Sequence, residues 1–199
     1  MTLGKVRIIG GAWRGRSIKV IDSPGLRPTA DRTRETLFNC LGQRVDDLTC
    51  FDMFAGTGAL GFEALSRGAQ KVTMIDTSKQ AHDALKENYL NLSKDGVLGV
   101  AEIIKGNAID SASKQPENSI DICFIDPPFS EQNLFLDALR QAVRITKKDH
   151  GSAIYMEHPK EINPEALLKE ITKFGDFWEI RRTIRSGVAI GTLMAPKTL

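Results

Sequence analysis

Apolar and polar residues alternate with a period of two in two short stretches near the start of the chain. These are residues 5–9 (Lys-Val-Arg-Ile-Ile) and 16–21 (Arg-Ser-Ile-Lys-Val-Ile), with Gly10-Gly11 and Arg14-Gly15 between them. The pattern predicts a β-hairpin with a longer loop. Trp13 lies in that loop beside Arg14 and Arg16, placed either to cap the hairpin or to stack on a base. Pro24-Gly25-Leu26-Arg27-Pro28-Thr29 reads as an extended linker. Asp31 or Thr29 then N-caps a predicted helix to about Leu41, with Leu37, Phe38 and Leu41 on one side and Arg32 and Arg34 elsewhere on its surface.

From residue 50 the period changes to strand–helix alternation. Strands are expected over 50–54, 71–75 (ending at Asp76), 102–105, 119–125 and 152–156, with helices over 59–67, 78–92, 133–146 and 164–173. Two last apolar runs, 177–184 and 188–194, meet at Ser186-Gly187, a connection so short that it demands an antiparallel pair. The fold class is therefore α/β: a mostly parallel, seven-stranded sheet with an antiparallel last strand, covered on both faces and preceded by a small hairpin. Residues 1–30 form a hairpin-and-linker extension and residues 31–199 the main domain.

Composition changes this picture in one respect. Residues 1–45 carry nine Lys/Arg against three acidic residues, a balance of +6, whereas the remainder holds 18 against 22, or −4. A basic end on a mildly acidic body suggests a polyanion held by the first segment, although ordinary solvated charge gives the same count. No apolar run approaches the ~20 residues that cross a bilayer, and the N-terminus lacks the apolar core of a secretory signal. Cys40, Cys50 and Cys123 lie in apolar segments without metal-like spacing, as do buried reduced thiols of a cytoplasmic protein. His82, expected on a helix surface, His150 and His158 show no metal spacing either, and no metal is expected. Glu157-His158-Pro159 reads as a loop terminus after the fifth strand, with Glu157 or His158 as possible neighbours of a site.

Two stretches carry chemistry. Glycines 56, 58 and 61 spell G-x-G-x-x-G between a strand and a helix, and Asp76 ends the next strand, where a carboxylate accepts hydrogen bonds from a ribose diol. NAD and S-adenosylmethionine both use this device. Asp52, ahead of the loop, favours the second, because a carboxylate there serves the amino-acid end of the ligand. No Gly-Lys-Ser/Thr follows, which excludes a P-loop. The other stretch is Asp126-Pro127-Pro128-Phe129 at the end of an apolar strand. Two prolines end the pairing and keep the turn extended. The turn offers a carboxylate, backbone carbonyls and an aromatic ring, which suit a planar base with an exocyclic –NH₂; a strand that simply ends in a proline turn fits the same tetrapeptide.

Asp52 to Gly61 together with Asp126 to Phe129 resembles the Rossmann-like class I S-adenosylmethionine-dependent methyltransferases that act on exocyclic amines. Arg7-Ile8-Ile9-Gly10-Gly11, Arg14-Gly15-Arg16, Arg27-Pro28-Thr29, Asp31-Arg32-Thr33-Arg34-Glu35 and Leu37-Phe38-Asn39 narrow the resemblance to the bacterial RsmD family, which methylates the N2 amine of a guanine in 16S ribosomal RNA. The resemblance implies Asp52, Phe54, Ala55, Gly56, Thr57 and Gly58 around the methionine part of S-adenosyl-L-methionine, Asp76 and Thr77 at the ribose, and Asn107-Ala108 near the adenine. Asp126, Pro127, Pro128 and Phe129 would hold the target base, and Arg7, Arg14, Arg16, Arg27 and Arg32 the RNA. Asp76 stands where Glu is common in the family and Asn107 where Asp is expected. The implied partner is 16S rRNA or the small ribosomal subunit, with a cytoplasmic monomer as the expected form. An adenine-N6 or cytosine-N4 methyltransferase shares the amine-gripping turn, and a non-catalytic RNA-binding assembly module shares the fold. Arg181, Arg182 and Arg185 either touch phosphates or line a solvated strand.

Overall fold

The computed structural model describes residues 4–20, 30–96, 99–171 and 174–197. The expected linker, with Arg27 and the alternative cap Thr29, lies outside them. The hairpin forms as β1 (Lys5–Arg7) and β2 (Ser17–Lys19), paired Lys5↔Lys19 and Arg7↔Ser17. There follow α1 (Asp31–Cys40), β3 (Thr49–Asp52), α2 (Ala59–Ser66), β4 (Lys71–Asp76), α3 (Lys79–Leu92), β5 (Val100–Lys105), α4 (Ala108–Ser113), β6 (Ile122–Ile125), α5 (Asn133–Ile145), β7 (Ala153–Pro159), α6 (Pro164–Glu170), β8 (Trp178–Ser186) and β9 (Ala189–Pro196).

The seven strands β3–β9 order as β5-β4-β3-β6-β7-β9-β8. The first five are mutually parallel, and β9 inserts antiparallel between β7 and β8. Period-two alternation assigns the strand residues to two cores. Cys50, Ile122, Phe124, Ala153 and Tyr155 pack on the face covered by α1–α3 and the hairpin. Phe51, Cys123, Ile125, Ile154 and Met156 pack on the face covered by α4–α6. Helix α5 shows how a periodic pattern becomes burial: Phe135, Ala138, Leu139, Ala142 and Val143 recur at helical spacing and are all buried.

Helix α2 is buried at every position, because the sheet covers one side and the hairpin the other. Gly61 presses on β4, where an added Cβ would lie 2.6 Å from the Met74 sulfur. On the far side Glu63 accepts the N–H groups of Ile9 (2.9 Å) and Gly10 (2.8 Å), and also Arg67 Nε at 2.8 Å. Ser66 accepts the Trp13 N–H at 2.9 Å and donates to the Gly10 carbonyl at 2.5 Å. The Arg7-to-Gly11 motif is thus the bolt between the hairpin and the helix of the glycine loop.

Several expectations are corrected. Asp31 is the first residue of α1 and not its cap, which is Ala30 without a side-chain bond. Arg34 is fully buried, not on the surface: its guanidinium donates to the Arg7 carbonyl at 2.7 Å and to Asp31 at 2.8 Å, beneath the docked hairpin. Cys40 is exposed at the end of α1, whereas Cys50 and Cys123 are buried. His82 is half-buried on α3. Strand β7 runs through Glu157 and His158 to Pro159, because pairing with β9 continues there (Glu157↔Gly191, His158↔Ile190). Helix α4 was not expected at all. Among the described residues no helix is long and apolar enough to cross a membrane.

Candidate active site

Strands β3 and β6 are adjacent, yet the chain leaves β3 towards β4 and β5 and returns to β6 on the other side. That reversal opens a crevice at the carboxyl ends of the strands. The glycine loop follows β3 and the Asp126 turn follows β6, both at that end of the sheet. Gly56 and Gly58 have positive φ (51° and 81°), and at Gly58 an added Cβ would sit 2.4 Å from the Phe62 ring, so glycine is required there. The Ala55 N–H is tied to the Ile75 carbonyl at 2.8 Å. Asp76 accepts the N–H groups of Gly56 (2.9 Å) and Ser78 (2.8 Å), which holds the loop against the next strand.

Asp52 is buried, and its Oδ2 has no hydrogen-bond partner among the described residues. Burial pushes this carboxyl up to about 7; the Asp76 charge adds to the rise, and the N–H groups of Gly61 and Phe54 partly oppose it. A buried acceptor without a donor is costly unless a ligand completes it. This orphaned oxygen, beside a glycine turn, fits the ammonium of S-adenosylmethionine.

Phe124 pairs with Asp52 on one side and with Tyr155 on the other. Continuing that register sets half-buried Asp126 beside Glu157, which is buried on β7 and accepts from the Tyr155 hydroxyl at 3.2 Å. Burial, then the charges of Glu157 and Asp52, raise the Asp126 carboxyl well above its ordinary range. The Tyr155 hydroxyl has space because β9 offers Gly191, where a Cβ would lie 2.3 Å from it. Three carboxyl groups therefore converge on the crevice, an environment suited to a cationic ligand. His158 is removed from this chemistry: its ring bonds Thr192 Oγ1 and the Pro159 carbonyl, both at 2.9 Å, and burial lowers its proton affinity.

In the turn, Pro127 is buried and Pro128 exposed. The Pro128 carbonyl accepts the Glu131 N–H at 3.0 Å, whereas the Pro127 carbonyl accepts nothing among the described residues. Phe129 is half-buried, tilted against Phe135 with ring centroids 6.4 Å apart, and lines a cleft of about 370 Å³.

The other candidates fall as follows. Phe54 is half-buried, Ala55 and Thr57 are buried, and Thr77 is exposed. Asn107 N-caps α4, its Oδ1 accepting from Ile109 (2.8 Å) and Asp110 (3.1 Å), with buried Ala108 as the first helical residue. Arg16 donates to the carbonyls of Leu92 (2.7 Å) and Asn91 (2.5 Å), so it closes the end of α3. Arg7 lies 3.7 Å from Asp31, and Arg7, Arg14 and Arg32 are exposed. Trp13 is buried in the core, which leaves it no face for a base. Sequence reasoning passed over Glu63 altogether. The signal available was an acid four residues before Arg67 inside an otherwise apolar helix.

Comparison with known proteins bears on the family and the fold. The family model described as Conserved hypothetical protein 95 matches residues 6–179. A Haemophilus influenzae protein named ribosomal RNA small subunit methyltransferase D is 44% identical over 176 residues, covering 85% of this chain and 89% of its own. The protein of the same name from Escherichia coli K12 is 48% identical over 128 residues, 63% of this chain and 61% of its own. The solved structure of Escherichia coli yhhF superposes with a TM-score of 0.78 at 35% identity, covering 98% of this chain and 100% of that one. With its Rossmann-like methyltransferase fold and these identities over most of its length, the chain belongs to the RsmD family.

Proposed function

We propose that the protein transfers the methyl group of S-adenosyl-L-methionine to the exocyclic N2 amine of a guanine in 16S ribosomal RNA. The reading is carried by one observation: the Asp126 carboxyl is followed in the chain by a Pro127 carbonyl that accepts nothing among the described residues, at the end of the strand next to the one that ends in Asp52, whose Oδ2 likewise has no partner among them. The relatives' names support rRNA as the substrate class.

Asp52 and the backbone of Ala55 to Gly58 hold the methionine part, Asp76 and Thr77 the ribose, and Asn107 and Ala108 border the adenine. When bound, the cofactor supplies an electrophilic methyl group on a sulfonium. Asp126 and the Pro127 carbonyl accept the two N–H bonds of the target amine. That favours a pyramidal nitrogen with its lone pair free to attack, since an amine conjugated with its ring is otherwise a poor nucleophile. Positive charge develops on this nitrogen as the methyl is transferred, so an adjacent carboxylate stabilises the transition state more than the ground state, and the methylated nitrogen then gives up one proton to water. A cationic neighbour returns the Asp126 carboxyl to its ionised form. Phe129 stacks on the base, worth ~1–3 kcal/mol in single-strand binders. Alignment of the two reactants supplies much of the remaining acceleration.

The test is transfer of labelled methyl from S-adenosylmethionine to small ribosomal subunits that lack the modification, followed by nucleoside analysis. N2-methylguanosine in 16S rRNA is expected. Label on adenine, cytosine or DNA points to the amino-methyltransferase variant, and no transfer to any nucleic acid to a binding module; either overturns the reading.

A further inference from the structure

Arg185 lines two clefts at the β8–β9 edge of the sheet. One is the Phe129 cleft, which Val188 and Ile190 also line. The other, about 360 Å³, lies between α1 and β8 and is lined by Arg32, Thr33 and Thr36 of the helix and by Arg182 to Ser186 of the strand. Among the described residues no acid lines this second cleft. Arg32, Arg182 and Arg185 are exposed and make no ion pair among the described residues, whereas the neighbouring Arg181 pairs with Glu179 at 3.0 Å. A register shift between Ile180 and Arg182 sets Arg181 apart from them in the ladder. Arginine guanidinium groups around a small hollow whose described lining holds no acid are the cations of a phosphate site.

We propose that the α1–β8 cleft binds a backbone phosphate of the RNA strand beside the target nucleotide, with Arg182 and Arg185 as its cations. This rests on the RNA methyltransferase reading above. Arg185, common to both clefts, joins the hollow that takes the phosphate to the one where Phe129 meets the base. The strand then runs from the crevice across the β8–β9 turn towards α1, on the side of the exposed Arg32. The competing role for arginines on β8, an edge strand, is to block edge-to-edge pairing. That role needs no hollow shared with α1, and it leaves RNA affinity untouched.

The experiment is filter binding of a 16S rRNA transcript by the full chain and by Arg182→Gln/Arg185→Gln, across a salt series. S-adenosylmethionine affinity and methyl transfer to small subunits are measured on the same preparations. The double variant is expected to bind RNA about tenfold more weakly near 0.1 M salt, with the slope of log affinity against log salt smaller by roughly 1–2, because each lost phosphate contact removes ~0.7–0.9. Its S-adenosylmethionine affinity should stay within twofold of the parent, which shows the fold intact. An unchanged slope and affinity overturn the cleft assignment while leaving guanine methylation standing. A reduced slope in a protein that methylates no guanine sinks the proposed activity but keeps the phosphate site.

Discussion

Asp126 stands two residues beyond Phe124, the β6 residue paired with Asp52, and the Asp52 charge helps to hold the Asp126 carboxyl above its ordinary range. The two acids thus end adjacent strands at the same crevice with different roles. Among the described residues, buried Asp52 has no partner for one oxygen, while half-buried Asp126 precedes a Pro127 carbonyl that accepts nothing. The first suits a tightly held cofactor and the second a substrate that comes and goes. Asp126→Ala is therefore expected to lower kcat on small subunits by about 10²–10³-fold, the range seen when one preorganised partner of a developing charge is removed. S-adenosylmethionine affinity should change only a few-fold. Undiminished turnover in this variant would refute the role given to the carboxylate.

Asp52 links function to stability. Its carboxyl is ordinarily near 3.8 and here near 7, so between those values the folded ligand-free protein binds more protons than the unfolded chain. Stability consequently falls as pH rises through that window. The shift corresponds to ~4 kcal/mol between the neutral and ionised forms. Asp52→Asn removes the charge but leaves an amide to satisfy, so a net gain of about 1–2 kcal/mol is expected at pH 8, vanishing near pH 4. The same change should weaken S-adenosylmethionine at least tenfold by deleting a charge-assisted partner. In the parent protein, cofactor affinity should decline as pH drops below about 7. Urea denaturation and calorimetry at the two pH values check both signs.

Gly11 and Gly15 separate conformational strain from collision. Both have positive φ, 76° and 84°. An added Cβ at Gly11 would lie 1.8 Å from the Ser66 carbonyl oxygen, while at Gly15 it would meet no described residue within 4 Å. Gly15→Ala should cost about 1–2 kcal/mol, the left-handed penalty alone. Gly11→Ala should cost ~3 kcal/mol or more, since backbone on both sides must part. Thermal denaturation of the two variants tests the difference. Because the hairpin covers the outer side of α2, whether Arg7 and Arg14 contribute to RNA binding is read with point variants; deleting the hairpin would uncover a wholly buried helix.

Glu63→Gln tests the bolt itself. This buried carboxylate accepts two hairpin N–H groups and pairs with Arg67, whose guanidinium also reaches the Gln43 carbonyl at 2.9 Å and lies over Phe38. Removing one partner of a buried ion pair typically costs about 3–5 kcal/mol. Faster hydrogen exchange at the amides of Ile9 and Gly10 is the expected signature. Exchange that stays at the parent rate would place the anchor elsewhere.

The alternation of strands and helices was legible because each buried strand is short, apolar and bounded by turn residues, as at Ile122–Ile125 before Asp126-Pro127. The crevice was legible for a local reason too: glycines at 56 and 58 and two prolines at 127 and 128 force turns that few other residues allow. What stayed hidden depends on contacts far apart in sequence. Arg34 looks like a surface residue until the hairpin covers α1, and Glu157 looks like a loop residue until β9 pairs beside it. Arg16 reads as a polyanion contact until it meets the end of α3, more than seventy residues away. Helix α4 was missed for a different reason. Ala-Ile-Asp-Ser-Ala-Ser is too short and polar to show a period, although Asn107 with Asp110 three residues on carries a helix-start signal.

Asn107 separates these levels in a single residue. The family resemblance puts it near the adenine; the structure commits its Oδ1 to the N–H groups of Ile109 and Asp110 and leaves the amide Nδ2 for other use. Asn107→Ala should lose the cap and about 1 kcal/mol of stability. Asn107→Asp keeps the acceptor and adds a negative charge at a helix start, so stability should hold or rise by ~0.3–1 kcal/mol. If the residue also accepts from the adenine amine, Asp serves equally well and S-adenosylmethionine affinity stays within about threefold, because an ionised carboxylate accepts at both oxygens. If Asn instead donates its Nδ2 hydrogens to a ring nitrogen, Asp loses that bond and affinity falls tenfold or more with the fold intact. Titration calorimetry with both variants, read beside their denaturation midpoints, distinguishes the cap from the cofactor contact.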